Sequence, residues 1–334
     1  MVGIVLERYS LTDNSGFIPL LKYPQHDAVL GGLVGLLLGD AIGVPFEFND
    51  PDSLPDRSLI DIIPPATFPR SHAGIPPGTW SDDGAQALCL LASLQANDKL
   101  VLPDFAGRLC DWMENGYVAV DGDVFDIGIQ TSIALDRIRD GVPAYQAGGS
   151  KESDNGNGSL MRVLPLALWH QGSDEALVYD AHLQSLPTHG HKRSMVACAY
   201  YCLVARAYLS KRSDPWESAD INLKSIYLAW PNQEEGREFL DELQVLRDFP
   251  KRETPQGTGY VLDTIWSARY AVEASTFQDV IRNAVALGHD TDTTAAVAGG
   301  LAGIRFGLSG IPANWLDQLR GFELVDPLIK KMTV

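Results

Sequence analysis

The sequence predicts an all-α protein, and three observations carry that expectation. Apolar residues recur with helical period through most of the chain. Alternation of the kind a half-buried strand needs is missing over any useful length. Small residues recur at spacing four in two widely separated apolar stretches, the pattern of helices that pack with their backbones close together.

The elements follow in order. Residues 1–26 lack a clear period and are expected to be an extension laid on the main body. Residues 27–334 are expected to form one domain, because neither an internal repeat nor a low-complexity linker divides them. "DAVLGGLVGLLLGDAIG" is a helix with Gly31, Gly35, Gly39 and Gly43 on one face. Its apolar run from Ala28 to Phe46 imitates a membrane span. The internal Asp40, the four glycines and the closing Pro45 and Glu47 make it a buried core helix instead, and no membrane association is expected. The segment 49–78, rich in Pro and polar residues, must be a long loop or two short turns, and a loop of that length is more often functional than idle. "SDDGAQALCLLASLQA" begins with a Ser-Asp start. "DFAGRLCDWMENG", "DIGIQTSIALDRIRDG", "SLMRVLPLALWH", "RSMVACAYYCLVARAYLS" and "FQDVIRNAVALG" read as further helices. Residues 211–262 are charged and mixed, with one helix expected around 234–248, and they look peripheral. A last helix follows "GHDTDTT", with Ala295, Gly299 and Gly303 at spacing four.

Charge and cysteine content limit the function. The chain holds 26 Lys and Arg against 43 Asp and Glu, a formal charge of −17 that repels a phosphate backbone, so nucleic acid is not an expected partner. Cys89, Cys110, Cys198 and Cys202 lie in apolar stretches without a CxxC pair and read as reduced core residues of a cytoplasmic protein.

Four segments share one build, a polar start running straight into an apolar helix. "GDAIGVPFEF" offers Asp40 and Glu47, and "GTWSDDGAQAL" offers Ser81, Asp82 and Asp83. "DNGNGSLMR" offers Asn155, Gly156, Asn157, Gly158 and Ser159, and "GHDTDTT" offers Asp290, Asp292 and Thr293. Taken singly, each carboxylate pair reads as a helix cap, since exposed N–H groups and the dipole favour acids there. Taken together they are a set of hard oxygen ligands aimed at apolar surroundings, where carboxylates repel unless a cation lies between them. Oxygen-only ligation selects Mg, Mn or Ca over Zn. The Asn/Gly stretch is either an ordinary turn or a phosphate cradle at a helix start. His189 and His191 in "THGHKRS" fit a functional role and a solvated cap equally well.

These residues, with "GDVFDIGIQTSIAL" and the long form "GHDTDTTAAVAGGLAGIRFG", occur in the order found in the ADP-ribosylglycohydrolase family, which the chain resembles from about Asp27 to about Ile311. The resemblance implies an all-α domain with a centre of two Mg2+ or Mn2+ ions. By motif position their ligands are Glu47, Ser81, Asp82, Asp83, Asp290, Asp292 and Thr293. It further implies that Asn155 to Ser159 cradle the diphosphate of ADP-ribose, that His189 lies along the substrate cleft and that Asp126 lies close to the sugar. Glu47, Asp126 and Asp292 are then the expected catalytic carboxylates, with the general base open between Glu47 and Asp126. The expected reaction is attack of water at C1 of the distal ribose, releasing ADP-ribose from a protein side chain or a small molecule. Where the family reads Thr-Asp-Asp-Thr, this chain has Ser81-Asp82-Asp83-Gly84, which keeps one hydroxyl and loses the other. Two other readings compete. "GHD" supplies the His-Asp pair of an HD-type phosphohydrolase, and a weakly catalytic ADP-ribose binder could block an ADP-ribosylating toxin or enzyme through residues 1–26.

Overall fold

The computed structural model describes residues 24–252 and 254–332, so residues 1–23, which make up most of the expected N-terminal extension, lie outside the described residues. Fourteen α-helices and no strands are present among the described residues. In chain order they are α1 (Pro24–Gly43), α2 (Asp82–Asn97), α3 (Leu102–Asn115), α4 (Ile129–Arg139), α5 (Leu164–Trp169), α6 (Asp174–Ser185) and α7 (Lys192–Leu209). There follow α8 (Pro215–Leu228), α9 (Gln233–Arg252), α10 (Val261–Val272), α11 (Phe277–Val285), α12 (Thr291–Phe306), α13 (Ala313–Gln318) and α14 (Phe322–Met332).

The two small-residue stripes face each other. A Cβ added to Gly31 would fall 2.2 Å from the Gly303 carbonyl oxygen, one on Gly35 2.3 Å from that of Gly299, and one on Gly39 2.0 Å from that of Ala295. Numbers rise along α1 as they fall along α12, so the pair is antiparallel at backbone contact. Each interior glycine costs a helix about 1 kcal/mol relative to alanine, and close packing is what that cost makes possible. The consequence for the site is direct, because the C-terminal end of α1, with Asp40 and Glu47, is held beside the N-terminal end of α12, with Asp290 to Thr293. Residues His26–Phe46 are long and apolar enough to cross a membrane, but 94% of the apolar window is buried inside the fold.

Around this pair, α10 and α11 pack on α12, α7 packs on α6, α8 and α9, and α2 packs on α3 and α5. Segment 49–78 contains two single-turn 3-10 helices, Pro51–Ser53 and Arg57–Leu59, within irregular chain. All four cysteines are free thiols, three of them buried.

Two expectations are corrected. "SLMRVLPLALWH" is helical only over Leu164–Trp169, because Pro165 has no N–H to give and the chain turns tightly over the preceding residues. Residues 211–262 are not peripheral and hold more than one helix. Asp214 caps α8, its carboxylate accepting from the Glu217 amide at 2.9 Å, with Pro215 in the first turn. Tyr227 of α8 and Phe239 of α9 pack against buried His182, whose ring lies 4.4 Å from that of Phe239.

Candidate metal centre

Each half of the centre is a helix start that borrows groups from elsewhere in the chain. Ser81 is the N-cap of α2, and Asp82 and Asp83 fill its first turn. The cap is completed by Asp40 from α1, whose carboxylate accepts from the Ser81 amide at 2.9 Å and the Gly84 amide at 2.8 Å. At the other half, Asp290 stands at the N-cap position of α12 without capping through its side chain. Its Oδ2 instead accepts from Asn157 Nδ2 at 2.8 Å, and its amide donates to the Gly257 carbonyl at 2.9 Å. Thr291 Oγ1 donates to the Gly43 carbonyl at 2.8 Å, tying α12 to the end of α1.

The halves meet at Asp83, whose Oδ2 accepts from Ser81 Oγ at 3.3 Å and from Thr293 Oγ1 at 3.2 Å. One oxygen from each of Asp40, Asp83 and Asp292 lies within 4.8 Å of the others, and the same holds for Glu47, Asp290 and Asp292. A third group joins Glu47, Asp126 and His72. Asp82 belongs to none of the three. Its Oδ2 accepts from Gln86 Nε2 at 3.0 Å, and Gln86 in turn accepts from buried Arg162 at 2.8 Å.

Burial pushes up Asp40, Glu47, Asp82, Asp83, Asp290 and Asp292. Asp40 rises to about 7 despite amide donors that pull it down. Glu47 rises to about 11 through burial and then the charges of Asp126, Asp290 and Asp82. Asp82, Asp83 and Asp292 go well above the usual carboxylate range, by burial first and neighbouring acids second, and burial also raises Asp290. Like charges this close and this dry either hold protons or share a cation. Two oxygens bear on this choice. Asp83 Oδ1 and Asp292 Oδ2 are buried with no hydrogen-bond partner, which a buried oxygen rarely tolerates. Carboxylates with hydroxyls, arranged as two oxygen groups sharing Asp292, fit divalent cations that prefer oxygen.

The Asn/Gly loop abuts this centre. Its side chains face inward: Asn155 Oδ1 accepts from Ser194 Oγ at 2.9 Å, Asn157 bonds Asp290 and Thr264, and Ser159 Oγ accepts from Ser185 Oγ at 2.9 Å. His189 is buried against the loop, its Cε1 2.8 Å from where a Cβ on Gly158 would stand. Burial, with Arg162 nearby, lowers its pKa to about 3, so it is neutral at physiological pH.

Three contributors lie outside the ligand and substrate residues expected from the sequence. Segment 255–261 pairs with the Asn/Gly loop through Asn157 N to the Gly259 carbonyl and Val261 N to the Asn155 carbonyl, both at 3.1 Å. Asp40 acts as an amide acceptor, and His72 contacts Glu47 at 2.9 Å. The Asp214-Pro215 helix start was readable, whereas nothing in the pattern of segment 49–78 marks His72. His289, required by the HD-type reading, joins none of the three groups; its Nδ1 is 3.7 Å from Asp50.

An all-α frame holding a buried centre with two all-carboxylate groups beside a glycine-rich loop defines the class. Residues 22–333 match the ADP-ribosylglycohydrolase family model, and the chain belongs to that family. It is 30% identical over 309 residues to ADP-ribosylarginine hydrolase Tri1 of Serratia proteamaculans, covering 92% of this chain and 79% of that one. It is 28% identical to ADP-ribosyl-[dinitrogen reductase] glycohydrolase of Rhodospirillum rubrum, covering 88% of this chain and 90% of the relative. Among solved structures it superposes on an ADP-ribosylglycohydrolase-related protein complex with a TM-score of 0.72 at 30% identity, covering 93% of this chain and 98% of the other.

Proposed function

We propose that this chain is a metal-dependent hydrolase that releases ADP-ribose from a modified acceptor, with ADP-ribosyl-arginine the first candidate substrate. The observation that carries the reading is the pair of unpartnered buried oxygens, Asp83 Oδ1 and Asp292 Oδ2, set between opposed helix starts beside the Asn/Gly loop. Family membership and the ADP-ribosylarginine hydrolase at 30% identity favour the arginine linkage.

In this reading Glu47, Ser81, Asp82, Asp83, Asp290, Asp292 and Thr293 hold two Mg2+ or Mn2+ ions. Bound there, the ions supply Lewis-acid anchoring of ribose hydroxyls and of water. Asp126 is the better placed base, since 21% of its side chain is exposed against 6% for Glu47. Water oxygen bonds to C1 of the distal ribose as the C1–nitrogen bond breaks. The water proton passes to the Asp126 carboxylate; the leaving guanidine nitrogen takes the electron pair of the broken bond and then, through solvent, the proton that Asp126 gives up, which returns Asp126 to its ionised form. Positive charge developing on the sugar is stabilised by the surrounding carboxylates. Because the side chains of Asn155, Asn157 and Ser159 are turned inward, the backbone at Gly156 and Gly158 remains to cradle the diphosphate, with His189 bracing both glycines from beneath.

The test incubates the full chain with proteins ADP-ribosylated on arginine or on serine, with Mg2+ or with EDTA. Release of ADP-ribose from the arginine substrate, lost in EDTA and in Asp290→Ala, is the expected result. Turnover that survives either treatment removes the metal-centred mechanism, and release from serine alone reassigns the linkage.

A further inference from the structure

The long segment 49–78 does more than connect α1 to α2. Ser71 donates its amide to the Pro45 carbonyl at 3.0 Å and its hydroxyl to the Glu47 carbonyl. His72 follows with φ of +50°, a left-handed conformation that few residues other than glycine adopt. Its carbonyl accepts from the Ile75 amide at 2.8 Å, closing a turn that fixes this backbone. The ring is steered between Phe48 and Phe125, at centroid distances of 5.6 and 5.2 Å. Its Nε2 then lies 2.9 Å from Glu47 Oε2 and 3.9 Å from Asp126 Oδ1. Glu47 lies beyond the end of α1, after a single 3-10 turn, on a flexible side chain that no helix constrains. Segment 71–72 therefore grips this one residue at both its carbonyl and its carboxylate.

We propose that His72 is a positioning residue of the metal centre. With Glu47 ionised over a cation, Nε2–H donates to Oε2 and holds the carboxylate against Asp290 and Asp292, in the way outer histidines and carboxylates orient metal ligands. The inference rests on the reading of Glu47 as a metal ligand. It makes the proline-rich segment part of the centre, and it makes Phe48 and Phe125 the walls that set the imidazole's direction.

The experiment measures Mn2+ affinity by electron paramagnetic resonance of free Mn2+ on the full chain, alongside kcat and KM for an ADP-ribosyl-arginine protein. His72→Ala is expected to weaken Mn2+ binding about ten-fold and to lower kcat with a smaller change in KM. His72→Gln, whose Nε2 can reach the same oxygen, is expected to restore most of both, whereas His72→Leu is not. In a Glu47→Ala background, removing His72 is expected to change Mn2+ affinity no further. Equal Mn2+ affinity in wild type and His72→Ala overturns the inference and leaves the functional reading intact, as does a His72→Gln variant no better than His72→Leu. Should His72→Ala fail to fold, the Gln and Leu variants decide. Wild-type protein that takes up no Mn2+ removes the metal reading itself and this inference with it.

Discussion

Thr293 Oγ1 donates to Asp83 Oδ2 across 3.2 Å, joining the first turns of two helices that lie 210 residues apart in the chain. The same hydroxyl belongs to the proposed ligand set, so it serves both the protein without metal and the metal site. Thr293→Val keeps the shape and removes the oxygen. Losing a buried hydrogen bond of this kind costs about 1 kcal/mol of stability, and more once Asp83 has only Ser81 for that oxygen. The expected result is a small loss of stability in EDTA and a larger, about ten-fold, loss of Mn2+ affinity by titration calorimetry. Affinity unchanged in Thr293→Val takes this hydroxyl out of the ligand set.

Without a cation, the acids of the centre give the protein an inverted pH dependence. Asp40 is raised from the ordinary value to about 7 by burial, and burial moves Asp83 and Asp292 in the same direction. A carboxyl whose folded pKa lies above its unfolded one binds more protons when folded, so stability falls as pH rises between the two values. In EDTA the melting temperature is expected to fall from about pH 5 towards pH 8. Saturating Mg2+ should cancel or reverse that slope, since the ionised acids then have a counter-charge. Differential scanning calorimetry at several pH values, with and without Mg2+, reads both curves; matching slopes would mean that no cation enters this cluster.

Asp263 is buried and lies outside the proposed ligand set, but it holds the segment that holds two site residues. Its carboxylate accepts from the amides of Gln256 and Thr258 at 3.0 and 2.6 Å and from Thr258 Oγ1 at 2.8 Å. Gly257 and Gly259 in that turn receive the amides of Asp290 and Asn157. Asp263→Asn replaces an acceptor-only group with one carrying two donors, one of which must face an amide. The prediction is a kcat/KM reduced by roughly ten-fold or more, in keeping with the effect of small misplacements in a site. Helix content by circular dichroism should stay as in wild type. A fall in kcat/KM with matching loss of helix would make the role merely structural.

How much of this was readable in the sequence depends on how far apart the cooperating residues lie. The stripes Gly31 to Gly43 and Ala295 to Gly303 each announce close packing by their spacing, and the acid-rich helix starts announce a cluster. That the two stripes face each other is a long-range fact, which local periodicity does not encode. Helix α8 is hard to read from the sequence although Asp214-Pro215 marks its start, because the charged residues around it blur the apolar period. His72 could not be found at all. Its position depends on a left-handed backbone in an irregular segment and on two aromatic walls from different parts of the chain.

Gly84 shows the same limit from the other side, because its meaning lies in a neighbour. The family pattern carries a threonine here, and its loss first reads as a missing hydroxyl. In the structure a Cβ at Gly84 would fall 2.8 Å from Trp80 Cγ and 2.9 Å from both Trp80 Cβ and Leu37 Cδ2. Trp80 cannot readily give way. Its Nε1 donates to the Val118 carbonyl at 3.2 Å, and the far edge of its ring packs against Gly321, where a Cβ would meet it at 2.5 Å. The Gly84 amide also donates to Asp40 Oδ2, so any shift of this turn reaches the acidic cluster. Restoring threonine should therefore harm the protein: overpacking costs about 1–3 kcal/mol, outweighing the several tenths that threonine gains over glycine inside a helix. Urea unfolding of Gly84→Thr is expected to show that loss. Trp80→Leu in the same chain should recover part of it, a positive coupling that two independent sites would not give. A Gly84→Thr protein as stable as wild type, with turnover raised, would instead mean that the missing hydroxyl was the functional deficit.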